Sequence, residues 1–151
     1  MYAGSDKNEE GELVGWAQFP EQEWLSRSLF SLKQDTKLLD KYIIKLGGRF
    51  LQDIAVKRNF DPSTIDWFMP HLSSMYFEKK IEDELEVLGY DIPKEKWFIN
   101  LPVIGNVASV SPFAMLEEFN RSGRVKKGDR ILLMVPESAR FSYAYALLTV
   151  V

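Results

Sequence analysis

The chain has 151 residues, of which 46% are hydrophobic and 27% charged, enough apolar material to bury a core as one globular domain. Nineteen Lys and Arg against 22 Asp and Glu give a formal charge of −3. No general basic field therefore exists to hold nucleic acid or an anionic membrane, and we expect neither partner. With no cysteine and one histidine, His71, the chain offers no disulfide, no thiol nucleophile and no zinc site built on several imidazoles.

The N-terminal segment shows few structural signals. Residues 1–12 are small, charged and glycine-containing, which predicts a loop or a frayed end. The apolar run Leu13–Phe19 predicts a short strand. A secretion signal and a run of about 18 apolar residues are both absent from the sequence, so we expect a cytoplasmic protein. No repeat or linker divides residues 13–151, which we interpret as one domain.

A long helix is predicted over about residues 32–60, ended by Asn59–Pro62. Its apolar positions recur every three or four residues, at Leu39, Ile43, Leu46, Phe50 and Ile54. Gly47 and Gly48 lie inside this helix, where each costs roughly 1 kcal/mol relative to alanine. We favour close packing against a neighbouring element as the reason for the pair; a functional hinge is the alternative.

The remainder of the chain predicts alternating strands and helices. The strands are expected at Ile65–Met69, Trp97–Leu101, Ile131–Val135 and Tyr143–Val151. A helix capped by Ser73 or Ser74 should have Phe77, Ile81, Leu85 and Leu88 on its inner face, and another helix should span about 108–120. The last two strands are nearly unbroken apolar runs, which predicts central strands covered on both faces. This order of elements indicates a layered α/β fold.

Two polar residues follow predicted strands, where α/β proteins usually place their sites. His71 comes directly after IDWFMP, and Asn106 comes after WFINL. Taken singly, the histidine could be a satisfied structural residue and the asparagine a turn former. Together, two neutral hydrogen-bond donors converging on one carbonyl oxygen would stabilise an enolate, as carbanion chemistry on a thioester requires.

Several separated segments resemble the C-terminal half of a 3-oxoacyl-[acyl-carrier-protein] synthase III, a thiolase-fold condensing enzyme. The segments are STIDWFMPH, INLPVIGNVASVSPFAMLEEFNRSGRVKKGDRILLM and the final apolar strand. In that family the first segment ends in Pro-His-Gln-Ala-Asn, and the second carries Gly-Asn-Thr-Ser-Ala-Ala-Ser before a helix and Gly-Arg-x-x-x-Gly-Asp. The resemblance implies a thiolase-like half with a layered mixed sheet and helices on both faces.

The resemblance assigns catalytic roles to two residues. His71 matches the family's catalytic histidine and Asn106 its catalytic asparagine, which together bind the malonyl thioester oxygen while the carboxylate leaves. The family's third catalytic residue is a cysteine in the other half of the protein. We therefore expect an N-terminal α/β half carrying that cysteine to precede Met1, and we expect this chain alone to be inactive.

The sequence also departs from the family around the implied site. Leu72 and two serines replace the Gln-Ala-Asn that follows the histidine. Ser138, Ala139 and Arg140 replace a glycine triplet that shapes the active-site floor, where side chains restrict the approach of the backbone. We assign these three residues and Leu72 to substrate binding, with the substrate itself left open. Tyr76 stands where many members have an arginine that helps to dock the carrier protein.

The resemblance implies decarboxylative condensation of an acyl group with a malonyl-type thioester, in fatty acid or related secondary-metabolite synthesis. It implies acyl-carrier-protein or coenzyme A thioesters as substrates, no cofactor or metal, and a homodimer. Two alternatives remain open: acyl transfer to a different acceptor on the same scaffold, and a non-catalytic partner subunit.

Overall fold

The computed structural model describes residues 6–7, 9–10, 13–14, 20–23, 25–26, 35–138 and 140–151. The chain divides into two compact units, residues 1–36 and 37–151. This boundary falls later in the chain than the one predicted at residue 13. Among the described residues, no helix is both long and apolar enough to cross a membrane.

The first unit contains a small antiparallel pair of strands. Strand β1 (Asp6–Lys7) pairs with β2 (Leu13–Val14), and a single turn of 3-10 helix covers Glu21–Glu23. The prediction of a loop over residues 1–12 is thus wrong at β1, where backbone pairing with β2 imposes strand geometry on polar residues. The predicted strand Leu13–Phe19 is found at its first two residues, and residues 15–19 lie outside the described part.

Helix α1 (Thr36–Arg58), which lies in the second unit from Lys37 onward, runs without a break through its two glycines. It ends at Asn59, which has a φ of 49°, where the sequence predicts the stop. The buried face is rotated from the predicted one, because the glycines face the core while Phe50 is exposed. A Cβ on Gly47 would lie 2.9 Å from the Tyr143 ring, and one on Gly48 would lie 2.7 Å from Glu84. Close packing is therefore the reason for the glycine pair, as favoured above.

Strand β3 (Trp67–Pro70) and helix α2 (Tyr76–Val87) follow the first long helix. The predicted inner face of α2 is correct, since Ile81 and Leu85 are buried. The predicted serine caps are only partly correct: Met75 is the N-cap residue, while the Ser74 hydroxyl accepts a hydrogen bond from the Tyr76 N–H at 3.2 Å.

The predicted strand Trp97–Leu101 is wrong. Only Trp97 forms a bridge, parallel to Phe68, and the chain then turns into the short helix α3 (Leu101–Ile104). Proline at the second position of α3 favours a helical start and removes one strand N–H. Helix α4 (Ser111–Arg121) follows a 3-10 turn over Ala108–Val110.

The last two strands, β4 (Arg130–Glu137) and β5 (Ser142–Thr149), complete a three-stranded mixed sheet. Its order is β3-β4-β5, with β4 parallel to β3 and antiparallel to β5. Strand β4 is central, as predicted. Strand β5 is not: it forms an edge of this sheet and most of its residues are exposed. Hydropathy could not reveal this, because the residues on both of its faces are apolar.

Helices cover both faces of the sheet, as the layered α/β prediction requires. Phe68, Leu132 and Met134 point into one core with α1 and α2. Met69, Ile131 and Leu133 point into a second core with Met115 and Phe119 of α4. Neighbouring strand residues alternate between the two cores because successive side chains of a strand point to opposite faces.

Candidate functional site

His71 directly follows strand β3, and its backbone is fixed by the neighbouring strand. Its N–H donates to the Met134 carbonyl of β4 at 2.8 Å, continuing the parallel pairing that matches Pro70 with Met134. The buried Met69 and Leu72 on either side anchor this segment in the fold. The position of His71 is therefore set by the sheet rather than by a free loop.

The imidazole of His71 is half-buried. Neither ring nitrogen has a hydrogen-bond partner within the described part of the chain. Burial disfavours the charged imidazolium and lowers the pKa of His71 below 6.5. At neutral pH the ring is therefore neutral, with one N–H donor and one acceptor nitrogen.

Asn106 is positioned by the end of α3 rather than by a strand. Gly105, at a φ of 74°, donates its N–H to the Leu101 carbonyl at 2.9 Å and closes the helical turn; glycine adopts this conformation at little cost. The next residue, Asn106, accepts a hydrogen bond from the Ala108 N–H on its Oδ1 at 3.0 Å. That bond identifies Oδ1 as the acceptor side of the amide and leaves Nδ2 as a donor.

His71 and Asn106 line the same cavity, which has a volume of about 340 Å³. Its floor is apolar and is formed by α1, α2, the end of β4 and the segment between β3 and α2. The floor residues are Leu39, Ile43, Ile44, Leu72, Phe77, Ile81 and Met134. Polar groups from the two catalytic candidates, Ser109, Glu137 and Ser138 also line it. An apolar pocket with a few polar groups is typical of a small-molecule site.

The structure thus brings together four of the six residues singled out from the sequence. Leu72 and Ser138 line the cavity with the histidine and the asparagine. Arg140 is not among the lining residues; its N–H donates to Glu137 Oε2 at 3.0 Å. Ala139 lies outside the described residues.

Sequence reasoning missed several lining residues. Glu137 carries no motif, and Ser109 lies in the GNVASVS stretch but is not one of the residues to which the resemblance assigns a role. For the apolar residues of α1 and α2, the sequence pattern predicts only core positions. A helix face that lines a cavity has the same periodicity as one that packs against a strand.

Polar side chains on the surface near α2 are bound to other residues of the same chain. Tyr76 donates a hydrogen bond to Asp40 at 2.9 Å, and Lys80 pairs with the same carboxylate at 2.5 Å. The Lys80 hydrogen bond is the main reason that the pKa of Asp40 is lowered. These contacts hold α1 against α2 beside the cavity.

Four basic residues cluster at positions 121–127, and two of them contact other side chains of the chain. The Arg124 guanidinium lies 4.6 Å from the Trp67 ring centre, and Arg121 pairs with Glu117.

Within the part of the chain that the structure describes, no group of three or more His, Cys, Asp or Glu side chains could hold a metal ion.

Known structures place this architecture among thiolase-like α/β proteins. The 3-oxoacyl-[acyl-carrier-protein] synthase III of Aquifex aeolicus superposes with a TM-score of 0.67 and 24% identity, over 78% of this chain and 36% of that one. The corresponding Xanthomonas oryzae enzyme gives a TM-score of 0.65 and 25% identity, over 76% of this chain and 32% of that one.

Sequence comparison identifies the family. Residues 56–149 match the family described as 3-oxoacyl-[acyl-carrier-protein (ACP)] synthase III C terminal, and the chain belongs to it. A beta-ketoacyl-[acyl-carrier-protein] synthase III of Coxiella burnetii is 28% identical over 110 residues, which cover 73% of this chain and 33% of that protein. This chain thus spans about a third of the length of the curated relatives that it matches.

Proposed function

We propose that this chain is the C-terminal half of a condensing enzyme that joins an acyl group to a malonyl-type thioester by decarboxylative Claisen condensation. His71 and Asn106 are the catalytic residues that it contributes. The acyl group is carried by a cysteine of an N-terminal half, because this chain has no cysteine. The whole enzyme is an acyltransferase, and the chain alone is inactive.

The two side chains act on the thioester oxygen of the malonyl-type substrate. The carbon–carboxylate bond breaks, carbon dioxide leaves, and the electron pair moves into an enolate whose oxygen becomes negative. A neutral His71 and the Nδ2 of Asn106 donate hydrogen bonds to that oxygen and stabilise the charge as it develops. The enolate carbon then attacks the acyl thioester, and the cysteine sulfur leaves as a thiolate. No cofactor or metal is required.

The apolar floor of the cavity binds the uncharged part of a substrate. Leu72 supplies part of that surface, and Ser138 also lines the cavity. Removing such apolar surface from water contributes about 25 cal/mol per Å². The thioesters would be carried by acyl carrier protein or by coenzyme A, and the complete enzyme would be a homodimer.

A single observation carries this proposal: His71 and Asn106 line one cavity, with the Asn106 amide held by Ala108 so that its donor group is not used in that bond. The test uses a protein that contains this chain together with the thiol-bearing half. His71→Ala or Asn106→Ala should each slow decarboxylation of malonyl thioester roughly 100-fold or more. Acylation of the cysteine should change much less.

Asn120→Ala is the matched control, because Asn120 is exposed on α4 and does not line the cavity. It should decarboxylate at the parent rate. Parent-like decarboxylation by both site variants would show that the two residues do not stabilise an enolate.

Acyl transfer to a different acceptor is the second candidate, and Glu137 favours it. This side chain lines the cavity, where its carboxylate would repel the carboxylate of a malonyl group. Assaying the same protein with malonyl thioesters and with neutral amine or alcohol acceptors separates the two reactions. Product from the neutral acceptors without any release of carbon dioxide would favour acyl transfer.

A further inference from the structure

Ser111 presents an unusual buried hydroxyl at the start of α4. The residue is 5% exposed. Among the buried side chains that the structure describes, Ser111 Oγ is the only nitrogen or oxygen without a hydrogen-bond partner. Buried polar groups in native proteins are paired with protein atoms or with ordered water, so this hydroxyl calls for a partner.

A small cavity lies next to this hydroxyl. Its volume is about 10 Å³, the size that accommodates one water molecule. Polar residues at its wall are His71, Asn100 and Ser111, and the other lining residues include Ile99 and Met115. A site of this size with several polar neighbours suits a bound water rather than an organic ligand.

His71 connects this small cavity with the larger one. His71 and Leu72 line both, so these two residues form the wall between them. Neither imidazole nitrogen is hydrogen-bonded within the described part of the chain. A water between Ser111 and the imidazole would therefore give a hydrogen-bond partner to both the Ser111 hydroxyl and a ring nitrogen.

We propose that Ser111 binds one water molecule in the small cavity and that this water hydrogen-bonds to the His71 imidazole, which makes Ser111 a positioning residue. The water donates to the nearer ring nitrogen and accepts from the Ser111 hydroxyl. The proton of the neutral ring is then held on the other nitrogen, since the partner of one imidazole nitrogen decides the tautomer. The hydrogen bond from that N–H to the thioester oxygen rests on the proposed function, whereas the water site does not.

The test exploits the fact that His71 is the only histidine of the chain. In protein labelled with ¹⁵N-histidine, long-range ¹H–¹⁵N spectra report the tautomer ratio of this one ring without overlap. Ser111→Ala should change that ratio about fivefold, as expected for the loss of one net hydrogen bond. Ser122→Ala is the matched control at the C-terminal end of the same helix, because Ser122 Oγ donates to the Phe119 carbonyl at 2.6 Å. It should leave the ratio unchanged.

A crystal structure of the unmodified chain provides a second measurement that does not depend on a variant. It should show one water within hydrogen-bond distance of Ser111 Oγ and an imidazole nitrogen. A dry cavity, or a tautomer ratio that is the same in the parent and in Ser111→Ala, overturns the proposal. A confirmed water beside an enzyme that fails to decarboxylate malonyl thioester would overturn the proposed function alone.

Discussion

The Tyr143 ring occupies the space that a side chain on Gly47 would need, with its Cε1 atom 2.9 Å from the ideal Cβ position. The Tyr143 hydroxyl donates to the Ile43 carbonyl at 2.6 Å, and Tyr145 donates to the Gly47 carbonyl at 3.1 Å. Strand β5 is therefore held against α1 through contacts that require a glycine in the helix.

Gly47→Ala should destabilise the chain. Overpacking costs about 1 to 3 kcal/mol, and the better helix propensity of alanine returns up to about 1 kcal/mol. We expect a net loss of about 1 to 2 kcal/mol in the free energy of unfolding, measured by urea denaturation. Lys45→Ala is the control, because Lys45 is exposed on the same helix, and it should unfold with the stability of the parent. Equal stability of Gly47→Ala and the parent would mean that Tyr143 shifts at no cost.

The stability of the chain should fall at alkaline pH. Burial raises the pKa of Tyr143 from 10.0 to about 12 and also raises the pKa of Tyr145. The folded state thus keeps protons that the unfolded chain releases, so stability is complete below pH 10 and decreases as the pH rises towards 12. Urea denaturation between pH 9 and 12 measures the decrease, and Tyr143→Phe should reduce its slope. An unchanged slope in that variant would contradict the assignment.

The His71 imidazole should titrate below pH 6.5, because burial lowers its pKa. The unfolded chain then binds this proton first, so the contribution of His71 to stability is present above pH 6.5 and is lost as the pH falls through the lowered pKa. NMR titration of the single histidine gives the midpoint directly. A midpoint at or above 6.5 would show that the ring is better solvated than its position indicates.

The chain alone should not accept an acyl group. It has no cysteine, and a serine such as Ser138 needs an adjacent base to act as a nucleophile. Incubation with radiolabelled acyl thioester should leave the protein unlabelled, while a thiol-bearing synthase under the same conditions takes up label. Stoichiometric labelling of Ser138 would contradict this expectation.

The chain should self-associate through the apolar residues near Asn106. Val103 is 81% exposed and Phe113 is 70% exposed, and exposed apolar surface favours association. Sedimentation should detect dimers or larger species, and replacing both residues by serine should weaken them. Val87→Ser is the matched control, since Val87 is 80% exposed on α2. A parent protein that stays strictly monomeric at high concentration would contradict the prediction.

For β3, β4 and β5, the sequence predicted the positions of the strands better than their environments. Strand β4 could be assigned from its apolar run, but the exposed edge position of β5 could not, because pairing partners are not encoded in hydropathy. The buried face of α1 was predicted wrongly because glycines do not contribute to an apolar pattern. In the structure, Gly47 and Gly48 lie on that face and are closely packed against neighbouring side chains.

The site was predictable to the extent that it follows family motifs. His71 and Asn106 were found by their motifs and do line one cavity, although the expected strand before Asn106 is a helical turn. Apart from Leu72, the apolar floor was not found, and neither was Ser111. Their roles depend on which side of a helix meets a cavity, and this is decided by tertiary packing.

The sheet topology has a consequence for the order of folding. Strands β4 and β5 are adjacent in sequence and form an antiparallel hairpin, which can close within about 1 to 10 μs. The parallel pairing of β3 with β4 joins Trp67 to Ile131 and requires closure of a loop of about 60 residues, which is entropically more costly. We therefore expect the hairpin to form first and His71 to reach its place beside Met134 only when β3 docks, so that the cavity is assembled late in folding.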